Sequence, residues 1–134
     1  MRIHAAAAVS AAVLTASLVG ASSASASKNL TFKQRQDIIR SVYVEAPDGG
    51  RIRHATCIAG RVSTVDRRWA FIYLSNTDWC VAVYGGASGE GSLMKRKTQR
   101  RHKWKHVGQL GDNCKRGTGG ASDLVLRDLG CTLY

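Results

Sequence analysis

The sequence predicts an α+β fold: an N-terminal helix, an antiparallel sheet of about four or five strands, a short C-terminal helix and two disulfides. Three observations point there. A stretch near residue 30 carries apolar residues at helical spacing behind a helix cap. Several stretches of strand length are alternating or continuously apolar. Four cysteines, Cys57, Cys80, Cys114 and Cys131, all lie downstream of an export signal.

That signal has three parts. Met1-Arg2-Ile3-His4 is a short positive start, Ala5 to Gly20 is uncharged and mostly apolar, and Ala24-Ser25-Ala26 fits a small-x-small cleavage site. Residues 1–26 are therefore expected to be a signal peptide cleaved after Ala26, and residues 27–134 a single basic, secreted domain. An uncleaved anchor fits less well, because a spanning helix needs about 20 strongly apolar residues and this stretch is mainly alanine and serine. No later run is long enough to span, so no transmembrane segment is expected in the mature form. Cleavage removes one basic residue, Arg2, and no acid, leaving 19 basic against 9 acidic residues, a net charge of +10. Such an excess draws a protein to polyanions and anionic surfaces.

Thr31 opens a capping box with Gln34. Phe32, Ile38, Ile39, Val42 and Tyr43 then fall at helical spacing while Lys33, Arg35, Gln36, Asp37 and Arg40 take the other face, predicting a helix over 29–43. Ala46-Pro47-Asp48-Gly49-Gly50 is a turn signal beyond its end. Arg53 to Val65 reads as a strand, with His54, Thr56, Ile58, Gly60, Val62 and Thr64 on one face. Asp66-Arg67-Arg68 connects it to a second strand, Trp69 to Ser75, and Trp79 to Tyr84 reads as a further short strand. After a glycine-rich loop over 85–91, Leu93 to Lys97 and Lys103 to Leu110 form a second hairpin joined through Gln99 to His102. Ser122 or Asp123 caps a helix over 124–129, and Gly130 stops it.

Four cysteines allow three pairings. Cys57–Cys80 and Cys114–Cys131 are favoured because each closes a local unit. A hairpin turning near Asp66 sets residue 57 opposite residues 75–77, close to Cys80, and the second bridge staples the C-terminal helix to the end of the last strand. Each would contribute about 3 kcal/mol in the loop-entropy model. A zinc site is disfavoured by the absence of any C-x-x-C pair and by export.

Ser63-Thr64-Val65-Asp66-Arg67-Arg68-Trp69, then the hairpin containing Trp104, then Cys114 and Asp128-Leu129-Gly130-Cys131, resemble a group of small exported actinobacterial proteins. The resemblance covers roughly residues 30–131. It implies an exported α+β domain with a C-terminal disulfide, and it carries no assigned activity. The chain departs from that group at two points. Arg67 stands where proline is common, and Gln99-Arg100-Arg101-His102 where the turn is commonly glycine-rich. Both departures add positive charge.

The second hairpin is the leading candidate site. Lys95, Arg96, Lys97, Arg100, Arg101, Lys103 and Lys105 fall within eleven positions, and no acid occurs from Gly91 to Gly111. Such clusters bind phosphate or carboxylate polymers through counterion release, and an exposed aromatic can stack on a base or sugar. Trp104, interleaved with His102 and His106 on one strand face, is expected to face the core. Arg51, Arg53, Lys115 and Arg116 are candidate extensions. The bland reading is a solvated, aggregation-resistant edge.

His102 and His106 could serve as an acid–base pair, as ribonuclease chemistry requires, but the surrounding cations disfavour a bound dication. Glu45, Asp66, Asp78, Glu90 and Asp112 are the candidate carboxylates; none has a diagnostic spacing to a histidine, and Asp66 reads as a turn residue. Gly86-Ala87-Ser88-Gly89-Glu90 narrowly misses a serine-hydrolase elbow, and no Gly-Lys-Ser/Thr follows to make a P-loop. Trp69, Phe71 and Tyr73 share a strand face expected to pack, with carbohydrate stacking as the alternative. Asn29-Leu30-Thr31 matches a glycosylation acceptor, a pattern common by chance.

The first functional reading is a non-catalytic secreted domain docking on an anionic polymer, such as a wall polymer or nucleic acid, or on an anionic membrane surface. The second is a secreted ribonuclease-like enzyme using His102 or His106. The third is an inhibitor or toxin that binds an acidic protein through the same hairpin. No cofactor or metal is expected.

Overall fold

The Thr31 capping box forms in full: the Thr31 hydroxyl accepts from Gln34 N at 3.2 Å, and Thr31 N donates to Gln34 Oε1 at 2.9 Å. Helix α1, Phe32–Ser41, starts there. It is shorter than the 29–43 of the sequence reading, because Lys28–Asn29 ahead of the cap pairs as a strand, β1, and Val42 is already extended. The computed structural model describes residues 27–86 and 90–134. The signal-peptide assignment and the core of the 86–90 loop motif lie outside the described residues.

The remaining elements are β2 (Ile58–Val62), β3 (Trp69–Leu74), α2 (Asp78–Tyr84), β4 (Gly91–Arg96), β5 (Trp104–Leu110), β6 (Asn113–Cys114), α3 (Asp123–Asp128) and β7 (Thr132–Leu133). Strands β1 to β5 form one antiparallel sheet in chain order. Between β2 and β3, Ile58 faces Leu74 and Ser75 N donates to Cys57 O at 2.7 Å, within the register the sequence implied.

Two expected strands are corrected. The first is shorter than Arg53–Val65, because Ala55–Cys57 coils into a 3₁₀ turn before β2 begins. The second, Trp79–Tyr84, belongs to helix α2. Its alternating, β-branched residues read as a strand, but the Thr77 hydroxyl caps the turn by accepting from Cys80 N. Helical spacing then buries Cys80 and Tyr84 while leaving Trp79 and Val83 exposed. Cys80 so reaches Cys57, and Cys114 is bonded to Cys131, the pairing favoured from sequence. The Cys114–Cys131 bridge joins the two-residue parallel pair β6–β7, too short to leave a periodic signal.

The sheet has a core on each face. Ile38 of α1 packs with Ile58, Ile72, Met94 and Trp104 on one side, and Val125 and Leu126 of α3 with Trp69, Leu93 and Leu110 on the other. Central strand β3 lies between both layers, which is why Trp69 to Leu74 is continuously apolar. Gly130, at φ +96°, takes the left-handed conformation that stops α3.

The segments Ser63–Trp69 and Asp128–Cys131 meet across the α3 side. Asp128 Oδ2 accepts from Ser63 Oγ and from Thr64 N, both at 2.8 Å, while Ser63 Oγ accepts from Val65 N and Asp66 N. The carboxylate at the end of α3 thereby holds the β2–β3 turn. Among the described residues no helix is long and apolar enough to cross a membrane.

Candidate polyanion interface

In the β4–β5 hairpin, Lys95 pairs with Lys105 and Arg96 with Trp104, so residues 97–103 form the tip. The pleat sends paired residues to the same face. Arg96 and Trp104 go inward toward α1, with the guanidinium 4.5 Å from the indole centroid and both residues buried. Arg96 Nε donates to Arg67 O at 3.0 Å, and burial lowers the guanidinium pKa from its ordinary value. Arg96 is thus removed from the exposed cation set that the sequence suggested. Lys95 is half-buried, its ammonium 4.7 Å from the Trp69 ring centroid on the other face.

Lys97, Arg100, Arg101, Lys103 and Lys105 remain, and all five are exposed. The β2–β3 turn lies beside the hairpin, since Arg96 N donates to Arg68 O at 2.8 Å. Within that turn Arg68 is taken by Asp66, its Nη2 2.7 Å from Oδ2, which lowers the Asp66 pKa and raises that of Arg68. Arg67 is exposed at the same end. The extensions are not all brought there. Arg51 turns back to donate to Ile39 O at 2.9 Å, and Arg116 pairs with Asp123 beyond the far end of β5.

Helix α1 adds a wall to the hairpin. A groove of about 590 Å³ is lined by Lys33, Asp37, Arg40, His102, Lys103 and Trp104. Among the described residues Asp37 is its only acid, and it is 7% exposed. Asp37 Oδ2 lies 3.1 Å from His102 Nδ1, and Oδ1 lies 3.7 Å from Lys33 Nζ. Ser41 Oγ donates to Asp37 O at 2.6 Å and also meets His102 O at 3.2 Å, tying the helix end to the hairpin tip.

Asp37 was absent from the candidate carboxylates. Its helical position placed it among polar residues, and a contact with residue 102 leaves no trace in local spacing. Of the five that were named, Asp66 acts in its turn, accepting from Arg68 N at 3.1 Å. Glu45, Asp78, Glu90 and Asp112 do not line the groove. His102 and His106 are not brought together either. His106 sits within β5 opposite Met94, whereas His102 lies in the tip beside Asp37. His54 contacts the Tyr84 hydroxyl and packs edge-on to Trp79 at 4.9 Å. No group of three or more metal-ligating side chains occurs among the described residues.

The arrangement therefore offers clustered exposed cations, one buried carboxylate and one histidine beside it. No family model, curated protein or solved structure matches the chain, so the chemistry of this end rests on its own geometry.

Proposed function

We propose that the protein is a secreted, non-catalytic domain that docks on anionic polymers or surfaces through the β4–β5 hairpin tip. The carrying observation is that Lys97, Arg100, Arg101 and Lys103 of the tip and Lys105 at the start of β5 are all exposed, with no acid between residues 91 and 111. Lys33 and Arg40 of α1 border the same groove, which widens the positive footprint. Binding of this kind is driven by counterion release, so its affinity falls steeply with salt. The test is binding of the oxidised protein to polyphosphate and to single-stranded RNA across a salt series. Replacing Arg100, Arg101, Lys103 and Lys105 together with glutamine is expected to flatten the log–log salt slope by about 3 on RNA, at ~0.7 per phosphate contact. An unchanged slope would remove the tip from the reading.

A second reading is favoured by one contact. Asp37 orients His102 in a groove walled by Lys33, Arg40 and Lys103, an arrangement suited to proton transfer at a clamped phosphodiester. RNA cleavage that His102→Ala abolishes while binding persists would support it. Cleavage that survives the substitution would end it.

A further inference from the structure

The face of the sheet opposite α1 carries a second site of different character. Trp69, Phe71 and Tyr73 alternate onto that face of β3. The α3 layer covers Trp69 and half-covers Phe71, then ends at Leu129, leaving Tyr73 42% exposed beyond it. Across the ladder Tyr73 pairs with Ala59, whose methyl covers little of the ring. On the other side the Phe71 ring occupies space that any side chain at residue 91 would need: a Cβ built on Gly91 would stand 2.3 Å from Phe71 Cε2. The two rings lie 5.6 Å apart at 44°, forming a short aromatic floor.

Opposite that floor, Asp112 and Gly130 close a cleft of about 440 Å³, within the range of roughly 300–1,000 Å³ usual for ligand sites. Its wall is braced by Thr132 N donating to Asp112 O at 3.0 Å and by the Cys114–Cys131 bridge. Ser75 and Asn76 supply the rim. The side chains of Asn76 and Asp112 hold no hydrogen bond among the described residues. Among the described residues Asp112 is the only acid lining the cleft, and no lysine or arginine lines it. In a protein of predicted mature charge +10, this cleft inverts the local sign.

We propose that this cleft binds an uncharged pyranose chain, independently of the hairpin. An aromatic floor packs against the apolar C–H face of a sugar ring. An amide and a carboxylate at the rim pair with its hydroxyls, the amide as donor and acceptor and the carboxylate as acceptor. A phosphate-bearing ligand is disfavoured by Asp112, which separates this site from the basic tip. The chemistry is that of a neutral polysaccharide, read by shape and hydroxyls.

The experiment is sedimentation of the oxidised protein with cellulose, chitin and insoluble mannan at low and high salt. Retention on at least one, unchanged by salt, is expected. Tyr73→Ala and Asp112→Ala should each weaken it by about tenfold, a loss of about 1.4 kcal/mol. Tyr73 and Asp112 are exposed, so these variants keep the cores intact. As a second block, Gly111→Gln adds a side chain where the nearest atom to a new Cβ is Asn113 O at 3.9 Å, and should also weaken retention. The four-glutamine tip variant should be retained like the parent. No retention on any of the three polymers, retention lost in salt, or equal retention of Tyr73→Ala would each overturn the assignment. Because the tip and the cleft are altered separately, failure of one reading is distinguishable from failure of the other.

Discussion

Asp37 on α1 and Asp128 at the end of α3 are each 7% exposed, and each meets a partner 65 residues away in the chain. Those long-range partners differ in kind. Asp128 accepts from Ser63 Oγ and Thr64 N, neutral donors of a turn in which Ser63 is fully buried. Asp37 faces Lys33 and His102, whose side chains are 69% and 68% exposed. Equal burial therefore serves two ends. A carboxylate held by buried neutral donors is a clasp between elements, whereas one presented to exposed cations sits at the wall of a groove where ligand can compete.

The clasp carries the larger expected effect. Asp128→Ala leaves Ser63 Oγ and Thr64 N without their shared acceptor. Hydrogen bonds to a charged group contribute about 1.5–3 kcal/mol each, so unfolding of the oxidised protein in urea should show a loss of about 3 kcal/mol or more. A loss under about 1 kcal/mol would reduce the clasp to a surface contact. Asp37→Asn is expected to do less to the fold and more to binding. Its partners are exposed, so stability should change by within about 1 kcal/mol. Removing the Asp37 charge from the basic groove should tighten polyphosphate binding by about threefold at low salt, an advantage that fades as salt screens it. Weaker binding by Asp37→Asn would mean that the carboxylate positions His102 for the ligand and does not simply repel it.

The same two residues show which parts of the molecule were legible in the sequence. Local signals came through: the Thr31 box, the hairpin turning at Asp66, the helix capped at Ser122, and both disulfides, each closing a short unit. Residues 79–84 were misread because β-branched valines at alternate positions imitate a strand, while the decisive Thr77 cap is a single side chain. Long-range polar contacts left nothing to read. Ser63 and Asp128 both stood in segments singled out beforehand, yet spacing could not say that they touch. Arg96 is the instructive middle case. A turn through Gln99 to His102 would set Lys97 opposite the inward Trp104, whereas the observed register pairs Trp104 with Arg96, so a shift of one residue decides which cation is buried.

Asp66 extends the comparison to a carboxylate near the surface, and its effect should be the smallest. Arg68 donates to it through Nε and Nη2, and this side-chain pairing chiefly holds the Asp66 carboxyl below its ordinary value, against a smaller opposing effect of burial. A carboxyl whose folded value is lowered stabilises the fold once it is ionised in both states, above about pH 4, and that contribution is lost as pH falls through the lowered value. Asp66→Asn keeps an oxygen able to accept from Arg68 N but loses the charge. The variant should therefore be slightly less stable than the parent near neutral pH, and the two should converge in acid. Urea midpoints followed from about pH 7 down to about pH 2 check this. A gap that persists in acid would place the role of Asp66 in the geometry of the turn and not in its charge.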